Sequence, residues 1–249
     1  MTFGAPHRHF ARTDSTNTRA RELAGAGAPH GTVVTAAAQT EGRGRQGRTW
    51  TAPAGKALLY SAIVRPLLER HVLLPLAVPL AVAEAAEELA PGIACGLKWP
   101  NDVLVGRRKL AGILIEARPA DGWAVVGVGL NLTIAADEFP PELRETATSL
   151  LIAAGDRHLS RYARQMAITQ LRIEAAAALS RRLEVWLEAD QKAVLETWRG
   201  RDALRGREVA WEGGSGVADG IDDRGYLVVV TTAGDRVAVG AGEVHLTRA

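Results

Sequence analysis

Apolar positions along the chain follow two rhythms, one helical and one strand-like, and the helical one stops near residue 200. Asp14 and Ser15 carry side-chain oxygens suited to a helix start, and Thr16 to Ala24 behind them predicts a short helix. Thr32 to Ala38 is a continuous β-branched and apolar run after Gly31, as expected of a buried strand, and Leu58 to Val64 reads the same way. Leu74 to Leu89, rich in Ala and Leu and stopped by Pro91, predicts a helix. Val103 to Val105, Gly112 to Ala117 and Trp123 to Val128 predict consecutive strands, turned at Gly106-Arg107-Arg108 and Asp121-Gly122. Ser160 to Trp198 predicts two helices with a charged, solvated face.

Past Arg201 to Gly206 only short β runs remain: Glu208 to Trp211, Gly225 to Thr231, Arg236 to Val239 and Glu243 to Leu246. They predict an all-β module of roughly 45 residues, too small for a large core of its own and so expected to dock on the rest. The longest apolar stretch, Val72 to Ala83, is 12 residues and contains Pro75 and Pro79. A membrane span needs about 20 residues, so this is a core segment.

Composition narrows the class. The 249 residues are 47% hydrophobic and 23% charged, which excludes global disorder, and the formal charge of +2 argues against a dedicated DNA-binding protein. The single cysteine, Cys95, allows neither an intrachain disulfide nor a cysteine-based zinc site. Of the 30 basic residues only Lys56, Lys98, Lys109 and Lys192 are lysines, so each lysine is a candidate for a specific chemical need. No signal-peptide core precedes Arg12, and a cytoplasmic enzyme is expected.

Three segments carry candidate chemistry. Gly42-Arg43-Gly44-Arg45-Gln46-Gly47 matches a dinucleotide-binding spacing, but Pro53 and Gly55 discourage the helix that reading needs, and no acidic residue lies between Glu41 and Glu69. A mobile loop of arginines on a glycine backbone instead suits an anion, with bidentate guanidinium bonds, and Trp50 beyond it suits a planar ring. A single-copy RNA-contacting Arg-Gly segment is the rival reading. Lys98-Trp99-Pro100-Asn101-Asp102 places a cation, an amide and a carboxylate together, as a phosphate and Mg²⁺ site requires, or simply forms a turn. Lys109-Leu110-Ala111-Gly112-Ile113-Leu114 sets a lysine at a strand entrance beside a glycine that admits a ligand to the backbone. Gly127-Val128-Gly129-Leu130-Asn131 ends another strand with two glycines and an amide.

Together with Asp14-Ser15-Thr16-Asn17 and Gln39, these segments resemble one family, the biotin protein ligases, over most of residues 13 to 150. The end of the β module, Gly242-Glu243-Val244, is similar to that family's small SH3-like domain. The resemblance implies an α/β (α+β) fold: a mixed-sheet catalytic domain over residues 1–203, like that of class II aminoacyl-tRNA synthetases, and an SH3-like β-barrel over 204–249.

It also implies a two-step reaction. Biotin and MgATP give biotinyl-adenylate, which then acylates one lysine of a biotin carboxyl carrier protein domain, of acetyl-CoA carboxylase or another biotin-dependent carboxylase. By motif, Ser15, Thr16, Asn17, Gln39, Gly42 and Gly112 would sit at biotin. Arg43, Gly44 and Arg45 would follow the adenylate linkage. Arg48, Trp50, Lys98, Asn101 and Asn131 would attend the nucleotide, with Trp50 over the adenine. Asp102 would hold Mg²⁺, and Lys109 would meet the biotin carboxylate and α-phosphate, making Lys109, Arg45 and Arg43 the expected catalytic cations.

Two departures stand out. Ser15 begins the Ser-Thr-Asn motif with no room before it for the DNA-binding domain some members carry, so a monofunctional form without a nucleic-acid partner is expected. Gly55-Lys56-Ala57-Leu58 lacks the Asn the family usually has there, which questions one ligand contact. A lipoate-type ligase on the same scaffold, or a non-catalytic biotin or nucleotide sensor, are the rivals. No membrane partner is expected, and a homodimer is left open.

Overall fold

The computed structural model describes residues 2–155, 168–240, 242 and 244–246. The elements of the larger part are β1 (His7–Phe10), α1 (Thr16–Gly25), β2 (Val33–Ala36), β3 (Ala57–Val64), α2 (Leu74–Leu89), β4 (Cys95–Lys98), β5 (Asp102–Val105), β6 (Arg108–Arg118), β7 (Trp123–Asn131), α3 (Leu150–Ala154), α4 (Ile168–Glu188) and α5 (Gln191–Gly200). The seven strands form one mixed sheet in the order β1-β2-β3-β7-β6-β5-β4, with β1 parallel to β2 and the other neighbours antiparallel.

Alternation along the strands decides what each face carries. Leu58, Tyr60, Ala62 and Val64 of β3, with Ala124, Val126, Val128 and Leu130 of β7, join the main core under α2 and α4. On the opposite face Ile63 and Val125 pack with Ala20 and Ala24 of α1. Because both faces are covered, β3 is buried at every position, which is why its sequence reads as an unbroken apolar run.

The remaining strands are β8 (Glu208–Trp211), β9 (Gly214–Ile221), β10 (Leu227–Thr231), β11 (Arg236–Val239) and β12 (His245–Leu246), a five-stranded antiparallel sheet. Val209, Ala218, Leu227 and Val229 belong to the same apolar cluster as α2, so the module shares the larger part's core, as its small size demanded. The connection is made along β4. Leu97 donates its amide to the Arg201 carbonyl at 2.7 Å and accepts from Ala203 at 2.9 Å.

Several elements differ from the sequence expectation. β1, β4 and β9 were not foreseen: β1 is a mostly exposed edge strand of polar residues, and β9 is interrupted by glycines. β6 begins at Arg108, four residues before the expected Gly112, because the β5–β6 turn is tight. The two helices expected over Ser160 to Trp198 are α4 and α5 in their described part, with Asp190 capping α5 through the Ala193 amide at 2.8 Å; residues 160–167 lie outside the described residues, as does Glu243 of the last expected strand. Among the described residues no helix is long and apolar enough to cross a membrane.

Candidate functional site

The face of the sheet that carries α1 is hollow at its centre, and the hollow is made of glycine. Leu59, Gly129 and Gly112 form one cross-strand row, and Ser61, Gly127 and Leu114 the next. A side chain at any of the three glycines would collide with what now fills the space: at Gly129 the Trp50 indole at 2.3 Å, at Gly127 the Asn17 carboxamide oxygen at 2.1 Å, and at Gly112 Trp50 at 2.9 Å and the Lys109 ammonium at 3.2 Å. The cavity over this floor holds about 310 Å³. That is the lower end of the roughly 300–1,000 Å³ typical of small-molecule sites.

One end is built by the first turn of α1. Gln39 Oε1 accepts from both the Thr16 amide at 2.7 Å and the Thr16 hydroxyl at 2.9 Å, replacing the cap that Ser15 does not supply. Asp14, expected as a cap, instead accepts from the Ser15 amide and from Nε and Nη2 of Arg19; that Arg19 pairing holds its carboxyl well below the usual range. Ser61 Oγ lies 2.8 Å from the Thr16 hydroxyl and 2.6 Å from Asn17 Oδ1. Asn17 Nδ2 is directed to the Leu114 carbonyl at 3.3 Å and to Glu116 at 2.9 Å. The result is a small buried polar wall able to address a compact neutral head group.

The arginine segment forms the rim. It does not lie as an open loop: the Trp50 amide donates to the Gly42 carbonyl at 2.9 Å, Arg43 bridges to Thr49, and Gly44 donates to Arg48 at 2.7 Å. Gly42 is buried at the base, where a Cβ would strike the Trp50 carbonyl at 2.2 Å. No helix follows, so the dinucleotide-binding arrangement is absent. Arg45 turns inward and donates to the Gly242 carbonyl of the small module at 3.1 Å. Burial lowers its guanidinium below the ordinary value, with Asp102 opposing and Arg48 reinforcing the shift. Arg43 turns the other way, to Glu116 at 3.0 Å.

Trp50 lies over Gly112 and Gly129, its indole nitrogen buried without a hydrogen-bond partner among the described residues, and Lys109 is 5.8 Å from its ring centroid. Beneath it Ala57, standing where the family's Asn would be, is 1% exposed and packs with Ala36 and Leu59. The missing amide is therefore replaced by an apolar seat for the tryptophan.

At the other end Lys98 and Asp102 face each other across the β4–β5 hairpin, 4.0 Å apart, and Lys109 reaches Asp102 at 2.6 Å. Burial depresses the Lys98 ammonium below the ordinary lysine value; Asp102 opposes this, and Lys109 and Arg48 add to it. Asn101 ties the hairpin to β6 through the Ile113 carbonyl at 2.9 Å, and Asn131 donates to the Thr148 carbonyl at 2.9 Å. The remaining lysines have other partners: Lys56 pairs with Glu138, and Lys192, 82% exposed, lies 3.8 Å from Glu196.

Ser15, Thr16, Asn17, Gln39, Arg43, Gly44, Arg45, Arg48, Trp50, Asn101, Asp102, Lys109, Gly112 and Asn131 thus line one cavity, although they come from five separate segments. Gly42 and Lys98 do not line it; they stand behind the rim and behind Asp102. Sequence reasoning missed Ser61 and Glu116. The signal for Glu116 was available: with Gly112 and Leu114 it occupies alternate positions of one strand, hence one face. Ser61 was visible only as the polar interruption of an apolar run.

The Biotin/lipoate A/B protein ligase family matches residues 9–132, and the Biotin protein ligase C terminal domain matches residues 205–246. The biotin–[acetyl-CoA-carboxylase] ligase of Mycobacterium tuberculosis is 38% identical over 251 residues, 95% of this chain and 87% of that protein. The bifunctional ligase/repressor BirA of Bacillus subtilis is 40% identical over 148 residues, 57% of this chain and 45% of that protein, so the match spans less than half of that relative. The solved biotin protein ligase of Aquifex aeolicus in complex with biotin and ATP superposes with a TM-score of 0.78 at 29% identity, covering 98% of this chain and 99% of that one. With its glycine-floored cavity, its arginine rim and the likeness to the Mycobacterium tuberculosis ligase over most of both chains in view, the chain belongs to the biotin protein ligase family.

Proposed function

We infer that the chain is an ATP-dependent enzyme that joins biotin to a lysine of a biotin carboxyl carrier domain, such as that of acetyl-CoA carboxylase. The observation that carries this reading is the Asp102–Lys109 contact of 2.6 Å set beside a glycine floor and under two inward-facing walls, one polar and one cationic. The polar wall of Thr16, Asn17 and Gln39, with Ser61 behind it, suits the ureido head of biotin, leaving its carboxylate to point toward Lys109.

In the first step a carboxylate oxygen bonds to the α-phosphorus while the bond to the bridging oxygen breaks and pyrophosphate leaves. Two anions must meet, so fixed positive charge is the main requirement. Lys109 and Arg45 supply it at the reacting groups, Lys98 supports Asp102 from behind, and Arg48 lines the outer wall. Trp50 gives a planar surface for the adenine. In the second step the acceptor amine attacks the biotinyl carbonyl, AMP leaves, and the amine's proton passes to solvent. The Gly-Arg rim excludes water from the mixed anhydride in between.

Among the described residues Asp102 is the one acidic side chain lining the cavity, and no cluster of three or more His, Cys, Asp or Glu could hold a metal. One carboxylate with an amide beside it suits a cation that brings most of its ligands with it, so Asp102, with Asn101 beside it, would hold a Mg²⁺ accompanying the phosphates of ATP. The ion would add charge neutralisation on the phosphates. ATP as substrate is consistent with a cytoplasmic location. Purified protein mixed with biotin, MgATP and a carrier domain should add one biotinyl group to the carrier by mass. No gain with biotin, or an equal gain with lipoate, overturns the reading.

A further inference from the structure

One carboxylate outside the lining of the cavity joins two parts of the site that otherwise have no common element. Glu116, with 21% of its side chain exposed, sits on β6 at the mouth of the hollow. Its Oε2 accepts from Asn17 Nδ2 at 2.9 Å, and Arg43 of the rim contacts both oxygens, at 3.0 and 3.2 Å. Arg21 of α1 reaches Oε1 at 3.2 Å. Resting on the ligase reading above, we propose that Glu116 is a positioning residue that fixes the biotin-binding amide of Asn17 and latches the Gly-Arg rim over the reaction intermediate.

The argument runs through Asn17. Its oxygen fills the space over Gly127, and Ser61 Oγ lies 2.6 Å from it, so its Nδ2 must face Glu116. Its other acceptor, the Leu114 carbonyl, is 3.3 Å away. Glu116 therefore sets which end of the amide a ligand meets. The same carboxylate is the partner that draws Arg43 down onto β6, while Arg45, two residues on, is held by the Gly242 carbonyl on the opposite side. Two anchors in opposite directions hold the rim: at Glu116 the acceptor is a side chain, at Gly242 it is the backbone.

The two duties separate by substitution. Glu116→Ala removes the acceptor for Asn17 and the charge for Arg43. Glu116→Gln restores an acceptor for Asn17 but leaves Arg43 without its ion pair. In wild-type and variant proteins the biotin KM would be measured by biotin-dependent ATP–pyrophosphate exchange. Release of a non-hydrolysable biotinyl-adenylate analogue, and trypsin cleavage at the rim arginines, would be followed in parallel.

Glu116→Ala should raise the biotin KM about tenfold, the cost of a lost hydrogen bond to a charged group, and should release the analogue faster. Glu116→Gln should bring KM back toward wild type while still releasing the analogue about three- to fivefold faster, the scale of a partly exposed ion pair, with faster rim cleavage. The effects of Arg43→Ala and Glu116→Gln on release should be less than additive in the double variant, since the two residues share one contact. Wild-type release and cleavage in Glu116→Gln, or a KM that does not move in Glu116→Ala, overturns the proposal. A wild-type protein that does not bind the analogue overturns the ligase reading itself.

Discussion

The Lys109 ammonium lies over Gly112, the residue paired directly with Asp102 across β5 and β6, and from there it meets the Asp102 carboxylate at 2.6 Å. Lys109 is not opposite Asp102 in register; its own partner is Leu104, beyond an irregularity between Val103 and Leu104. The contact exists because the bulge shifts the lysine and because Gly112 leaves room for its side chain to lie back along the strand. Lys109→Ala should lower biotin-dependent ATP–pyrophosphate exchange by about 10²–10³-fold, the usual cost of one lost donor at a developing charge, with an unchanged circular-dichroism melt. Asp102→Asn should weaken exchange too, since it frees Lys109 from its place. Near-wild-type exchange in Lys109→Ala removes that lysine from the mechanism.

Gly112→Ala tests the same geometry without touching a charge. Its Cβ would fall 2.9 Å from Trp50 and 3.2 Å from the Lys109 ammonium, both free to move by a few tenths of an ångström. The expected result is a folded protein with reduced kcat. Gly127→Ala should instead raise the biotin KM, because its Cβ would displace the Asn17 carboxamide now 2.1 Å away. Overpacking of this kind costs about 1–3 kcal/mol, so thermal melts should drop modestly in both. Equal kinetic effects from the two substitutions would refute the division of the cavity into a head-group end and a phosphate end.

Arg45→Gly removes the guanidinium that points inward and its bond to the Gly242 carbonyl. Free adenylate should then escape, and bystander proteins added to the assay should become biotinylated along with the carrier domain. Blotting with streptavidin reads this directly, and labelling confined to the carrier would refute retention by Arg45.

The depressed Lys98 sets a pH dependence. Burial is the chief cause, so this ammonium gives up its proton below the ordinary lysine value of 10.5. The unfolded chain binds more protons than the folded one between those two values, so the buried charge weakens the fold below the shifted value and the penalty fades as pH rises toward 10.5. Activity runs the opposite way and should decline on the alkaline side before a free lysine would titrate. Lys98→Arg, charged throughout, should extend the alkaline limb of the kcat profile; superimposable limbs would exclude Lys98 from the charge balance.

Cys95 should be inert. It is 5% exposed, and burial pushes its thiol up to about 12. Iodoacetamide at pH 8 should leave the native protein unmodified and label one thiol after denaturation, as a mass spectrum would show.

Much of this protein was written locally. Strand β3 announces itself because burial on both faces demands apolar residues throughout, and helix α2 through the buried apolar run Leu76 to Ala83; the motifs around Lys98, Lys109 and the arginine rim offer candidate chemistry by residue type. Strands β1 and β9 were not legible, since an exposed edge strand and a glycine-broken strand bury too little to leave a pattern. Tertiary structure alone decided that Gly112, Gly127 and Gly129 form one floor, and that Trp50 and Asn17 fill the space their missing side chains leave. It also decided that Arg43 and Arg45, two residues apart, face opposite partners. These are relations between residues distant in sequence. They depend on strand register and on which face a side chain takes, quantities that pairing sets and no local pattern records.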